Sequence, residues 1–384
     1  MVLLSSIFMK KLEFLFRKII PLIVNNKLLT LILITAALLR FIGTNPGYNQ
    51  YHPDQGISYS AASSMVKNGN FDPLRYDYPA LVPDINYIFF KLLFIPLNWA
   101  KYYLTHIPEI IDGVVHIPIA PLEEKTLFQT YVLGERAINA IFWSRYITAF
   151  FGVCNVLLLY ILVKKIFEKI GPNSKYIGLI AAFLLTFNYK HVVNSHIGLP
   201  DIYNSFFLLL SLFSSINLWK NPRLRNYILA GIAAGLSFSV KYQIFALFPL
   251  LLTHLYLSFN NKRFSLDKLL NFKIFICLAL IPLVFALTNP YFFNHFDQAL
   301  KAVRDVSQKY GMGTNKLNLY PIWYMYNVDY GLPTLLAITL GILLAVKKFF
   351  KQSLLLLSVV VPFIYVFFYY SIGGFYVRNI ITIT

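Results

Sequence analysis

Apolar runs separated by short polar stretches recur along the chain, at about 27–43, 143–163, 176–193, 202–219, 226–240, 242–259, 272–289, 331–346 and 353–370. Each reads as a helix across a hydrocarbon core about 30 Å thick. Residues 80–104 are also apolar, but they contain Pro83, Asp84, Lys91, Pro96, Asn98 and Lys101. Charges inside a span are costly and proline breaks the backbone ladder. This stretch is therefore expected to lie in the interface or to dip in and out. Two shorter amphipathic segments stand outside the spans. One is 57–68, with Ile57, Ala61, Met65 and Val66 towards one side and Gly69 as its stop. The other carries Phe293, Phe296, Leu300, Val303 and Tyr310 on one face and stops at Gly311. Both are expected to lie on the outer membrane surface. The pair Gly231 and Gly235 falls inside a span and suggests close helix packing.

Charge fixes the expected sidedness. Lys10, Lys11, Arg17, Lys18 and Lys27 precede the first run, which reads as a retained signal-anchor. With 80–104 not crossing, the clusters Lys164/Lys165/Lys169/Lys175, Lys220/Arg223/Arg225, Lys262/Arg263/Lys268/Lys273 and Lys347/Lys348/Lys351 all fall on the cytoplasmic side. If 80–104 crossed, they would all fall outside. The outer side then receives the loop 44–142, the turn 194–201, the segment 289–330, Lys241 and Arg378. The expected organisation is a cytoplasmic segment 1–27, a transmembrane catalytic domain 28–378 and an apparently truncated C-terminus at 379–384.

Composition agrees. Of 384 residues 58% are hydrophobic and 13% charged, with a mean hydropathy of +0.61, about half the charged fraction of a soluble domain. The net charge of +18 sits in loop clusters between apolar runs, so it argues for topology and against nucleic acid as a partner. Phe and Tyr (35 and 27) suit interfacial belts. The only cysteines, Cys154 and Cys277, lie in apolar runs and support neither a disulfide frame nor a cysteine zinc site.

No G-x-G-x-x-G, P-loop or D-x-D pair is present, so a nucleotide-dependent donor site has no support. The candidate chemistry lies in the outer polar turns. Asp54 follows Pro53 and precedes a helix, where it serves either as an N-cap or as a general base for an acceptor hydroxyl. In the turn Asn194–Asp201, Asp201 reads either as a helix-start cap or, with His196, as a ligand for a sugar or a divalent cation. Arg145 opens a span, as a snorkelling anchor or as a planar clamp for phosphate. Lys241 carries the same two readings. The aromatic and His residues of the outer segments, Tyr51, His52, Tyr76 and Tyr78, suit an interface more often than catalysis.

Taken in order, several fragments resemble a known family. They are His52-Pro53-Asp54-Gln55, Tyr78-Pro79-Ala80-Leu81, Arg145 through Gly152, Ser195-His196 through Asp201, Gly231 through Lys241, and Asn289-Pro290-Tyr291. Their order and sidedness resemble the GT-C glycosyltransferases, specifically the protein O-mannosyltransferase and aminoarabinose transferase superfamily (glycosyltransferase family 39-like). The resemblance implies an all-α integral membrane protein, a multi-span bundle with outer surface helices. It implies inverting sugar transfer from a polyprenyl-phosphate donor to a hydroxyl of a protein, lipid or glycan on the extracytoplasmic face. Asp54 would be the catalytic base, Arg145 a phosphate ligand and Asp201 a second site carboxylate, with His52, Gln55, His196 and Lys241 binding substrate. The sequence departs from the family at Gln55, where a second acid is usual, and at Ala80, where proline is usual. A transporter or lipid-carrier flippase is the alternative; transporters place ionisable groups near mid-membrane on broken helices, whereas Asp54, Asp201 and Arg145 stand at span ends, which favours the enzyme. A non-catalytic homologue is the third reading.

Overall fold

A computed structural model describes residues 19–44, 53–97, 100, 104, 137–260, 263–320, 323 and 331–371. Tyr51, His52, Arg378, the 379–384 terminus and most of 98–136 lie outside the described residues. Apart from one two-residue hairpin, Phe259–Asn260 with Arg263–Phe264, the described elements are helical.

Helix α1, Lys27–Phe41, starts where the Asn26 side chain accepts from the Leu29 N–H. A 3₁₀ turn, Pro53–Gln55, leads into α2, Gly56–Asn68, which Gly69 ends in the left-handed region at φ +67°. Helix α3, Leu81–Phe89, runs on into a π turn, Phe90–Phe94. Helix α4, Ala137–Ile166, is 30 residues long, or about 45 Å. Helices α5, Asn173–Phe187, and α6, Tyr189–Ser195, form one apolar run bent by 61° at Asn188. Then come α7, Pro200–Lys220; α8, Leu224–Phe238; α9, Leu247–Leu257; and, after a single turn at Leu266–Leu269, α10, Phe272–Thr288. A short helix, α11, Pro290–Asn294, and α12, Phe296–Lys309, precede α13, Gly331–Lys348, and α14, Phe350–Tyr365.

Among the described residues five runs are long and apolar enough to cross a membrane, six if the bent α5–α6 pair counts as one span. The expected span at 242–259 is narrower. Residues 241–246 form turns and only the eleven residues of α9 are helical, about 16 Å. Phe293 lies in α11 and not on the helix that carries Leu300 and Val303, because His295 interrupts the run, and Tyr310 caps the end of that helix.

Helix α8 lies against α10 along the glycine stripe. A Cβ at Gly231 would overlap the Cys277 carbonyl, and one at Gly235 would sit 2.8 Å from Val284 Cβ. Backbone-to-backbone approach of this kind needs glycine. Helix α13 has no buried residue and shows Leu336, Leu340, Leu343 and Leu344 outward. In water such a face is unfavourable, and in lipid it is the natural surface.

The buried core divides along the bundle. One cluster joins Met65, Val82, Phe90, Ile147, Phe151 and Tyr203, and another joins Leu162, Ile216, Leu250 and Phe363. The 81–94 segment stays at the first end. Its Leu81 N–H donates to the Ser239 carbonyl at 3.3 Å, Asn86 donates to the Tyr203 hydroxyl at 3.4 Å, and Phe94 packs 5.1 Å from Trp143.

Candidate functional site

Helices α4 and α7 run parallel, which brings the start of α7 beside the first half of α4 and leaves Lys220 donating to the Lys165 carbonyl where both helices end. The Thr148 hydroxyl donates to the Tyr203 hydroxyl at 3.3 Å, and Asn155 Nδ2 donates to the Ile202 carbonyl at 3.1 Å. Arg145 and Asp201 therefore lie at the same end of the bundle, within about 15 Å along α4.

Arg145 is fully buried, and its Nη2 donates to Gln55 Oε1 at 3.2 Å. This removes the snorkelling reading, because the guanidinium points into protein. Gln55, also fully buried, ends the 3₁₀ turn and leads α2. The residue at the N-cap position of α2 is Gln55, and its side chain makes no capping bond. Asp54 is partly buried beside Gln55, and its charge reaches Arg75. Arg75 Nε donates to Asp77 Oδ1 at 2.8 Å and its Nη2 pairs with Asp77 Oδ2. That hydrogen bond, opposed by burial and helped by the Asp77 and Asp54 charges, raises the guanidinium pKa.

Asp201 sits in the first turn of α7, where Pro200 occupies the first helical position. Its carboxylate meets Lys241 Nζ at 2.6 Å, with both residues almost wholly buried. The ion pair draws the 241–246 turns towards α7, and Asn204 Nδ2 repeats the link by donating to Gln243 Oε1 at 3.2 Å. Tyr242 donates its hydroxyl to the Tyr76 carbonyl at 2.9 Å. Burial, then the Asp77 charge, raises the Tyr242 pKa.

A cavity of about 210 Å³ opens between these groups. Asp77, Tyr78, Lys241 and Gln243 line one wall, and Val303, Val306 and Ser307 of α12, with Tyr310 just past its end, line the other. The amphipathic helix at 296–309 is thus a wall of the site. Two of the family-like fragments also touch, since the Ala80 N–H donates to Asn289 Oδ1 at 2.5 Å.

His196 is anchored to α1. Its Nε2 lies 2.8 Å from the Leu39 carbonyl, so that nitrogen carries the hydrogen and ties the turn to the end of α1. Burial, with smaller contributions from the Arg40 and Arg145 charges, lowers its pKa. Among the described residues no three His, Cys, Asp or Glu side chains converge. Asp201 has an ammonium as counter-ion, so the described donor set does not suit a divalent cation.

Arg75, Asp77, Asn204 and Gln243 were not singled out from sequence. The signal for the first two was a charged Arg-x-Asp inside an aromatic stretch, Phe71 to Tyr78. For Asn204 and Gln243 only the three-residue spacing from Asp201 and the two-residue spacing from Lys241 pointed that way.

A family model described as dolichyl-phosphate-mannose-protein mannosyltransferase matches residues 97–300, more than half of the chain. That stretch holds Arg145, His196, Asp201 and Lys241, while Asp54 and Gln55 precede it. No curated protein matches the chain. Two solved structures resemble it, both of the Archaeoglobus fulgidus oligosaccharyltransferase. The form in complex with zinc and sulfate is 14% identical with a TM-score of 0.47, over 93% of this chain and 47% of that one. The apo form is 12% identical with a TM-score of 0.48, over 93% and 49%. The chain spans about half the length of these two structures.

Proposed function

The chain belongs to the dolichyl-phosphate-mannose-protein mannosyltransferase family, and from that premise we propose that it is a multi-pass membrane glycosyltransferase. It takes a sugar from a polyprenyl-phosphate carrier and passes it to an acceptor hydroxyl on the extracytoplasmic face. The observation that carries this reading is the gathering of Asp54, Arg75, Arg145, Asp201 and Lys241 at one end of an apolar bundle. A lipid-linked donor has its phosphate at the interface and its tail in the bilayer, and this arrangement suits both.

In the proposed reaction the Asp54 carboxylate accepts the proton of the acceptor hydroxyl as its oxygen attacks the anomeric carbon. The bond from that carbon to the carrier phosphate breaks, and the phosphate leaves with the electron pair, so the centre inverts. Cations at the site offset the charge that grows on the departing phosphate. Gln55 has no acidic proton to exchange and serves by hydrogen bonding, to Arg145 in this case. The cavity beside Lys241 suits a small polar group such as one sugar ring, with α12 as its cover.

Sugar transfer from radiolabelled polyprenyl-phosphate donors is the test, with wild type against Asp54→Asn in reconstituted membranes. Transfer is expected to fall by at least two orders of magnitude, the lower end of what a positioned base contributes (about 10²–10⁴). Retained turnover removes Asp54 as base, and donor movement across the membrane without transfer supports the flippase reading instead.

A further inference from the structure

The end of the bundle away from Asp54 carries a second built feature. The 21 residues of α7 separate Asp201 from Lys220, a distance of about 30 Å, the thickness of a hydrocarbon core. Around Lys220 a cavity of about 560 Å³ is lined by Lys169, Lys220, Lys351 and Glu168, with Trp219, Tyr256 and Gln352 among its other walls. Three lysines against one glutamate leave its lining net positive. A second cavity of about 200 Å³ shares Trp219, Tyr256 and Lys351 with the first. Its remaining walls are nearly all apolar: Leu252, Leu255, Phe259, Leu354 and Leu355, with Thr253. The two spaces therefore adjoin across Trp219, Tyr256 and Lys351, basic on one side and greasy on the other.

The charges in this rim are oriented. Lys351 Nζ contacts the Tyr256 hydroxyl at 2.5 Å and lies 4.6 Å from its ring centroid. Lys220 pairs with Glu168 and donates to the Lys165 carbonyl at 2.7 Å. Trp219 packs edge-on to Tyr256 with centroids 5.5 Å apart. Aromatic rings beside lysines at a span end are the furniture of a lipid headgroup region. Basic pockets between membrane helices hold anionic headgroups.

We propose that this two-part groove between α7, α9 and α14 binds one anionic phospholipid of the surrounding bilayer, its phosphate at Lys351, Lys220 and Lys169 and an acyl chain along Trp219, Leu255 and Leu355. The occupant follows from complementarity. A soluble phosphate leaves the apolar half unfilled, a zwitterionic lipid leaves the net positive charge uncompensated, and an anionic lipid satisfies both. The site lies at the opposite end of α7 from the sugar-transfer groups and stands whether or not that reaction is the right one.

The test uses the full chain in phosphatidylcholine vesicles containing a minor fraction of brominated lipid, which quenches nearby tryptophan. Trp219 is one of four tryptophans, so its signal is isolated as the difference between wild type and Trp219→Phe. Brominated phosphatidylglycerol is expected to quench that signal with an apparent affinity on the order of tenfold above brominated phosphatidylcholine. Raised salt should shrink the preference. Lys351→Gln should reduce it about fivefold, and Lys351→Arg should keep it. Equal quenching by the two lipids in the wild type overturns the proposal. So does a preference unchanged in the Lys220→Gln, Lys351→Gln double variant.

Discussion

The Asp201–Lys241 pair offers the sharpest quantitative test, because both partners are buried and joined at 2.6 Å. At that separation the Coulomb attraction is about 6 kcal/mol for an effective dielectric of about 20. Desolvation removes several kcal/mol per ion, so the net value of the pair against an apolar pair is near zero. Breaking it on one side is different. Asp201→Asn or Lys241→Met leaves the other charge buried without this counter-ion, a loss of about 3–5 kcal/mol. The double variant Asp201→Leu, Lys241→Met leaves neither charge, and the coupling should recover at least about 2 kcal/mol of the summed losses. Cys277 is fully buried, so a thiol-reactive fluorophore reports unfolding as that thiol becomes accessible during heating in detergent. Both single variants should unfold at clearly lower temperature than wild type, and the double variant should recover most of the drop. A double variant that falls by the sum of the singles refutes a coupled buried pair. So does a single variant with an unchanged midpoint.

Asp84 gives a pH-dependent prediction. It lies in α3, outside the spanning helices, and burial pushes its carboxyl from an ordinary 3.8 up to about 8. The folded chain holds that proton through a window in which the unfolded chain has released it, so stability falls as pH rises from about 4 to about 8. Asp84→Asn should flatten that slope and raise the unfolding midpoint most at pH 8 and above, and an unchanged slope counts against the buried acid. Gly231→Ala places a methyl against the Cys277 carbonyl and should destabilise by about 1–3 kcal/mol. Gly341→Ala meets nothing within 4 Å and should be neutral or slightly stabilising, since alanine is favoured over glycine in helices by about 1 kcal/mol. Unfolding midpoints of the two variants, measured side by side, check both.

The membrane class, the helical bundle and the approximate position of most helices were legible in the chain itself. Lipid-facing helices need long apolar runs, and runs of that kind are local in sequence. The stop at Gly69 and the tight α8–α10 contact were legible for the same reason, since a left-handed residue and a small-residue stripe each leave a mark within one turn or one helix. The candidate site was only partly legible. Asp54, Arg145, Asp201 and Lys241 stood out because charges beside apolar runs are conspicuous. Their partners did not, because pairing across 40 residues from Asp201 to Lys241, or 90 from Gln55 to Arg145, depends on how α4, α7 and α8 lie against one another. Tertiary packing alone decided that Arg145 points into protein instead of snorkelling, and that His196 braces α1. It also decided that α12 walls a cavity. Helix formation follows from local backbone and side-chain preferences, whereas a buried charge takes whatever counter-charge the assembled bundle brings within reach.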